Sequence, residues 1–327
     1  MSKMETVTKI MEKADLRAAY GDTLALLGEE FEEIVVLDAD LSSSTRTSRF
    51  AGKYPNRFFN MGVSEQDMIS TSAGLAAAGK TPFVSTFAIF ASGRAWEQVR
   101  QSICLSELNV KVVASHGGIT VGEDGPTHQA LEDLTLMRVL PNMTVIVPAD
   151  ANEVKAVLRK IAETKGPAYV RISRAKLPVV NDDDVSFEIG KGRVMRHGSD
   201  VAIIACGCMV AKGLEAAETL AVDGIHAAVI NMPSIKPIDE ELILQMASTT
   251  GAIVTAEEHS ILGGLGSAVM EVTCENNPVP VVRVGMKSQF GKSGDPDALL
   301  DYYGMNTASI VEAAGKSMAL KKESASS

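Results

Sequence analysis

Between Ser115 and Gln129 the chain gathers two histidines (His116 and His128), the carboxylate pair Glu123 and Asp124, and four glycines. Imidazole titrates near neutral pH, and carboxylates accept hydrogen bonds from hydroxyls. The combination therefore suits proton transfer to a polar substrate, or its orientation. The glycines let the backbone turn and approach a ligand closely. The stretch follows Val110-Lys111-Val112-Val113-Ala114, a β-branched run that predicts a buried strand, and precedes an apolar periodic segment that predicts a helix. It is thus expected to be a long loop at a strand's carboxyl end, with an Ω-like surface loop as the alternative.

Other residues of chemical interest also trail predicted strands. Asp40 and Ser44 follow Ile34-Val35-Val36-Leu37, where they could meet a ligand or simply cap the next helix. Glu65 lies in the first turn leading to a small-residue helix, Ser70 to Gly79, where the helix dipole favours a carboxylate and capping alone would explain it. The alanines and glycines of that helix permit close packing against another helix or subunit. Phe87 and Phe90, three apart, follow the strand Pro82 to Thr86, and Arg174 follows Ala168 to Ile172, where a guanidinium can grip phosphate with two donors. Arg17 lies on a predicted helix, Val7 to Leu27, and by itself reads as a solvated side chain. Strand ends converge on one edge of an α/β sheet, so these positions together outweigh any one of them.

The positioning elements alternate. Strands at 144–147 and 168–172 flank a helix at 151–164. Leu177-Pro178 and the acidic run Asp182-Asp183-Asp184 mark a boundary, after which strands at 200–205, 226–230, 252–255 and 279–284 alternate with helices. The fold class is α/β, with two three-layer α/β/α domains. Residues 1–178 form a doubly wound parallel sheet, 179–189 a linker, 190–320 a smaller domain and 321–327 a frayed tail.

A net charge of −10 with no basic cluster argues against nucleic acid as a partner. With no apolar run long enough for a membrane and no signal-peptide core after Met1, the expectation is a cytoplasmic protein. The cysteines Cys104, Cys206, Cys208 and Cys274 form no Cys-x-x-Cys pair and are expected to be buried free thiols. Gly264-Leu265-Gly266 lacks the third glycine of a dinucleotide fingerprint, having Val269 there, and Gly291-Lys292-Ser293 lacks the correctly spaced glycine of a P-loop. No metal-ligand spacing occurs, so no metal is expected on this chain alone.

Asp38-Ala39-Asp40, Gly62-Val63-Ser64-Glu65-Gln66, Thr86-Phe87-Ala88-Ile89-Phe90 and Gly122 to Gln129 together resemble the carboxyl-terminal half of transketolase. The resemblance covers nearly the whole chain: residues 1 to about 178 resemble the pyrimidine-binding domain, and residues from about 190, including Gly294-Asp295-Pro296, the carboxyl-terminal domain. It implies thiamine diphosphate chemistry, in which a two-carbon ketol unit passes from a ketose phosphate to an aldose phosphate, as in the pentose phosphate pathway. It also implies that Glu65 hydrogen-bonds the cofactor's aminopyrimidine and favours the tautomer that deprotonates the thiazolium carbon. Phe87 and Phe90 would enclose that ring and Asp40 would lie near the cofactor. His116, Asp124 and His128 would bind sugar hydroxyls, while Arg17, Ser44 and Arg174 would bind the substrate phosphate.

The chain departs from many relatives in having Ser64 and Gln66 beside the glutamate, and Gly93 where some carry a third aromatic. The Gly-Asp-Gly motif that binds Mg2+ and diphosphate in full-length relatives does not occur. The resemblance therefore implies one subunit of a split transketolase, active only with an amino-terminal partner subunit that holds diphosphate and Mg2+, in an α2β2 assembly. The alternatives are half of another thiamine-dependent enzyme (deoxyxylulose phosphate synthase-like, a 2-oxo acid dehydrogenase β subunit, or a branched-sugar-phosphate transketolase) and a non-catalytic scaffold subunit.

Overall fold

The structure is a computed structural model that describes residues 12–325. Its strands are β1 (Lys13–Ala14), β2 (Ile34–Asp38), β3 (Phe58–Asn60), β4 (Thr81–Ser85), β5 (Lys111–Ser115), β6 (Thr144–Ile146) and β7 (Ala168–Ile172). They continue with β8 (Leu177–Pro178), β9 (Arg193–Arg196), β10 (Val201–Ala205), β11 (Ala227–Asn231), β12 (Ser234–Lys236), β13 (Ile253–Ser260) and β14 (Val281–Met286). One sheet has the order β12-β6-β7-β5-β4-β2-β3 and is parallel except for β12; the other has the order β14-β13-β10-β11-β9 and is parallel except for β9.

β2, β4, β5, β7, β10 and β11 are buried along their whole length, as continuous apolar runs in a parallel sheet covered on both faces must be. From β2 the chain first goes outward to β3, then returns past β2 to β4 and on to β5. The order therefore reverses between β2 and β4, the arrangement at which open α/β sheets form a ligand crevice outside their carboxyl ends.

Helices Leu16–Glu30 and Ala151–Glu163 cover one face. Leu16, Tyr20, Leu24 and Leu27 are buried at helical spacing, as are Val154, Val157, Leu158 and Ile161. The sequence pattern suggested a helix from Val7, but Val7 to Met11 lie outside the described residues. Within them the helix starts only at Leu16, because Asp15 adopts extended geometry and accepts from the amides of Arg17 and Ala18, at 3.0 and 3.3 Å. Lys13 and Ala14 instead pair with β8, a two-residue ladder too short to show periodicity.

The tail expected to fray continues the helix Thr307–Ala325, and Lys321 Nζ donates to the Thr250 carbonyl at 2.8 Å. Ser326 and Ser327 lie outside the described residues. All four cysteines are free thiols, Cys104, Cys206 and Cys208 buried as expected and Cys274 exposed.

Asp150 joins a helix to the following connection. One carboxylate oxygen caps Ala151–Glu163 through the Glu153 amide at 2.9 Å, and the other accepts from the Val180 and Asn181 amides at 2.8 and 2.7 Å. Asp150→Ala should leave these buried donors unpaired and lower unfolding stability by about 2 kcal/mol, read from urea denaturation. Unchanged stability would show that the tether carries no weight.

Candidate active site

The carboxyl edge of the first sheet is held in shape by carboxylates that close its loops. Asp38, the last residue of β2, is fully buried; it accepts from the Leu41 amide at 2.6 Å and from the hydroxyls of Thr45 and Thr47 at 2.7 and 2.8 Å. Burial pushes its carboxyl above the usual range. This knot folds residues 41–47 back and places Ser44 and Arg46. Asp40, two residues on, is exposed with a positive φ of 63° and shares two hydrogen bonds with Asn60, at 3.0 and 3.1 Å. Asn60 also accepts from the Gly62 amide at 3.0 Å, so the ends of β2 and β3 are tied together just before Glu65.

Glu65 opens the helix Glu65–Ala77, five residues before the predicted start at Ser70, and its side chain is 1% exposed. A buried carboxylate needs a partner. Arg94 supplies it, with Nη1 donating to both oxygens at 2.8 Å. The Arg94 guanidinium lies 4.6 Å from the centroid of the Phe90 ring, and Phe90 stacks on Phe87 at 5.8 Å with 15° between the planes. His116 stacks on Phe87 at 3.7 Å, and His128 meets Phe90 edge-on at 5.5 Å. Glu65, Phe87, Phe90, His116 and His128, drawn from three separate stretches of sequence, therefore form one cluster with Arg94.

Arg94 was missed by sequence reasoning. The available signal was its place four residues after Phe90, obscured because Phe90–Arg94 is a π-helical turn with Ala95 N donating to Phe90 O at 3.2 Å. Beside Gly93, where a third aromatic is absent, a planar cation covers the ring. Gln66, one of the departures next to Glu65, donates to the Arg94 carbonyl at 3.2 Å and so steadies that cation.

The loop from Ser115 to Gln129 is wound into a 3-10 turn at Ile119–Asp124. Gly118 and Gly122 have φ of 85° and 81°, left-handed values that favour glycine. Asp124 is exposed, on the rim of the loop, while His116 is buried with its Nδ1 2.8 Å from Ser115 Oγ. Burial, reinforced by the positive Arg17 and Arg174 and by His128, lowers the His116 pKa to about 3, so its imidazole is neutral across physiological pH.

Arg17 donates to the Ser44 carbonyl at 3.2 Å and lies 3.4 Å from Asp15; Arg46, also missed, lies 3.6 Å from the same carboxylate. Arg174 bonds the Val121 carbonyl at 2.9 Å and Glu123 at 3.1 Å. Arg17 is depressed by its burial and further by Arg46 and Arg174. Three guanidinium groups thus share one corner of the crevice, an arrangement suited to an anion of more than one charge.

The glycine pairs set aside above have structural roles. Glu257 accepts from the amides of Leu265 and Gly266 at 2.7 and 2.8 Å, so that helix terminus is closed to a diphosphate by the chain's own carboxylate.

Comparison with known proteins agrees with this geometry. The profile described as "Transketolase, pyrimidine binding domain" matches residues 12–180, and "Transketolase, C-terminal domain" matches residues 190–310. The chain belongs to the transketolase family. A "Putative transketolase C-terminal section" of Methanocaldococcus jannaschii is 50% identical over 91% of this chain and 94% of its own length. A "6-deoxy-6-sulfo-D-fructose transketolase subunit SqwH" of Clostridium sp. is 43% identical over 93% of this chain and 94% of its own. A solved structure described as "Split gene transketolase, inactive beta4 tetramer" superposes with a TM-score of 0.88 and 52% identity, covering 95% of this chain and 100% of that one.

Transketolase domains imply dependence on thiamine diphosphate. The residues present fit its pyrimidine end: a buried carboxylate beside two parallel aromatic rings suits a flat, polar heterocycle. Among the described residues no three His, Cys, Asp or Glu side chains gather to hold a metal ion. Among the same residues no helix is long and apolar enough to cross a membrane.

The depressed His116 has a consequence for acid stability. Unfolding restores its ordinary pKa near 6.5, so between pH 6.5 and about 3 the unfolded chain binds a proton that the folded one refuses. Stability is therefore lost as pH falls through that window. His116→Gln should remove up to about 1.4 kcal/mol of this loss per pH unit, with no pH-dependent difference above pH 7.5. Parallel denaturation curves for both proteins from pH 7.5 to 4.5 would contradict the assignment.

Proposed function

We propose that this chain is the carboxyl-terminal subunit of a split transketolase, which moves a two-carbon ketol unit from a ketose phosphate to an aldose phosphate in the pentose phosphate pathway of the cytoplasm. The observation that carries the reading is the Glu65 carboxylate, buried at the sheet's switch point beside the Phe87–Phe90 stack. The homotetramer named for the 52%-identical structure is described as inactive, which supports the idea that this chain too needs a second polypeptide. In this reading an amino-terminal partner subunit holds diphosphate and Mg2+, the pair assembles as α2β2, and the chain alone forms an inactive homo-oligomer.

Thiamine diphosphate, when bound, supplies the nucleophilic carbon on which a ketol unit is carried. The chain's own residues do the rest. Glu65 hydrogen-bonds the pyrimidine ring nitrogen, Phe87 and Phe90 present flat apolar faces to it, and Asp40 lies near the cofactor. Arg94 balances the Glu65 charge, which would otherwise be costly to bury. His116, neutral and fixed by Ser115, and His128 exchange hydrogen bonds with sugar hydroxyls, and Asp124 reads one of them from the rim. Arg17, Ser44, Arg46 and Arg174 hold the terminal phosphate.

The purified chain with thiamine diphosphate and Mg2+ should show only background turnover of xylulose 5-phosphate with ribose 5-phosphate, and addition of the partner subunit should restore it. In the assembled enzyme Glu65→Gln should lower kcat by about 10²- to 10⁴-fold while the chain stays folded. Full activity of the lone chain, or of the Glu65→Gln assembly, would refute the assignment.

A second prediction concerns the anion corner. Arg46→Met should raise KM for sugar phosphates by about tenfold with a smaller change in kcat, because it removes ground-state binding of the phosphate. Equal KM values would remove Arg46 from the site.

A further inference from the structure

The loop bearing His116, Asp124 and His128 springs from the first sheet, yet its main-chain hydrogen bonds are completed by the second. Glu258, near the carboxyl end of β13, is buried, and its Oε1 accepts from the Thr120 amide at 2.6 Å, 138 residues away in sequence. Its Oε2 accepts from Cys208 Sγ at 3.2 Å. Its main-chain carbonyl accepts from Arg171 Nη2 at 2.8 Å, and the same nitrogen donates to the Ala130 carbonyl at 3.0 Å, at the far end of the loop. Gly118 N donates to that Ala130 carbonyl at 2.8 Å, drawing the two ends of the loop together.

The fit leaves no slack. A Cβ on Gly118 would overlap the Glu258 carboxylate, and one on Gly117 would overlap the Arg171 side chain. Thr120 lies four residues after His116 and is the second residue of the turn that ends at Asp124. Its hydroxyl also meets Ser173 Oγ at 3.2 Å, beside Arg174. One amide thus sits between the buried histidine, the rim carboxylate and an arginine of the anion corner.

We propose that Glu258 is a positioning residue: it sets the register of the substrate-facing loop through the Thr120 amide, and this gives the second sheet a direct part in sugar recognition. The proposal rests on the sugar-phosphate reading of that loop. A carboxylate bonded to a buried amide makes a short, charge-assisted contact. Without it the Thr120 N–H is left unsatisfied and the turn must shift to reach water, which moves the sugar-binding groups off their positions and removes ground-state binding.

Hydrogen exchange on the intact chain, read by peptide mass spectrometry, separates the possibilities. Glu258→Leu should speed exchange of the amides at 118–122 by about tenfold while β2 and β10 stay protected; Glu258→Gln, whose amide oxygen still accepts, should stay within about threefold of wild type. Cys208→Ala, which leaves the loop bond in place, should not alter the loop. If Glu258→Leu does not fold, Glu258→Ser, too short to reach Thr120, takes its place. In the assembled enzyme the Leu variant should raise KM for the sugar phosphate about tenfold, mainly without loss of kcat, with thiamine diphosphate affinity unchanged and Gln rescuing the defect. Unaltered exchange at 118–122, or exchange raised equally in β10, would overturn the clamp. If the loop loosens as expected in Glu258→Leu but the wild-type assembly turns over no sugar phosphate, the recognition role and the proposed function are overturned together, but not the Glu258–Thr120 contact.

Discussion

The reversal of strand order between β2 and β4 is the constraint on which the site depends. Adjacent parallel strands leading away in opposite directions leave their following loops nothing to pack on but each other, and a crevice results. Asp38, Ser85 and Ser115 end three strands of this edge, and the loops after β4 and β5 meet where Phe87 stacks on His116 at 3.7 Å. The residues that face the crevice are polar or aromatic because the covering helices cannot reach there, and each buried charge has had to find a partner nearby.

Those pairings explain much of the local structure. Asp38 is satisfied by one amide and two hydroxyls, Glu65 by Arg94, and Glu257 by two helix amides. In the interface between the sheets, Arg171 lies 3.2 Å from Asp133, which also accepts from Tyr169 at 2.7 Å. Buried ionic groups of this kind contribute little net stability compared with apolar replacements, but removing one partner alone is costly. They act as registration marks, fixing which loop conformation accompanies a given packing of the core.

The α/β class and the site's edge were legible in the sequence because both follow from short-range patterns. β-branched runs such as Val112-Val113 and Ile203-Ile204 announce buried strands, and polar residues directly after them fall at one edge. What was not legible depended on partners distant in sequence. Arg94 gains meaning only beside Glu65, Arg46 only beside Asp15, and Glu258 only beside Thr120. The first helix starts later than its apolar spacing predicts, because that spacing runs across Asp15 while the cap that begins the helix is a single side chain. Residues 321–325 continue the final helix although their polarity predicts a frayed end, because polarity alone does not register the bond from Lys321 to Thr250. Asp40 and Asp124 are where the pattern placed them, but both are exposed.

β12 joins the first sheet although it comes from the later part of the chain, lying antiparallel against β6, and Nζ of its last residue, Lys236, donates to the carbonyls of Arg138 and Leu140. The strand acts as a selvedge, finishing a border that would otherwise fray. A polypeptide stopped near residue 190 would carry β6 with its outer row of amides and carbonyls bare, a template for any passing strand. At this border the two family segments are sewn together by the three residues of β12, and an evolutionary separation of them would require a new hem as well as a new linker.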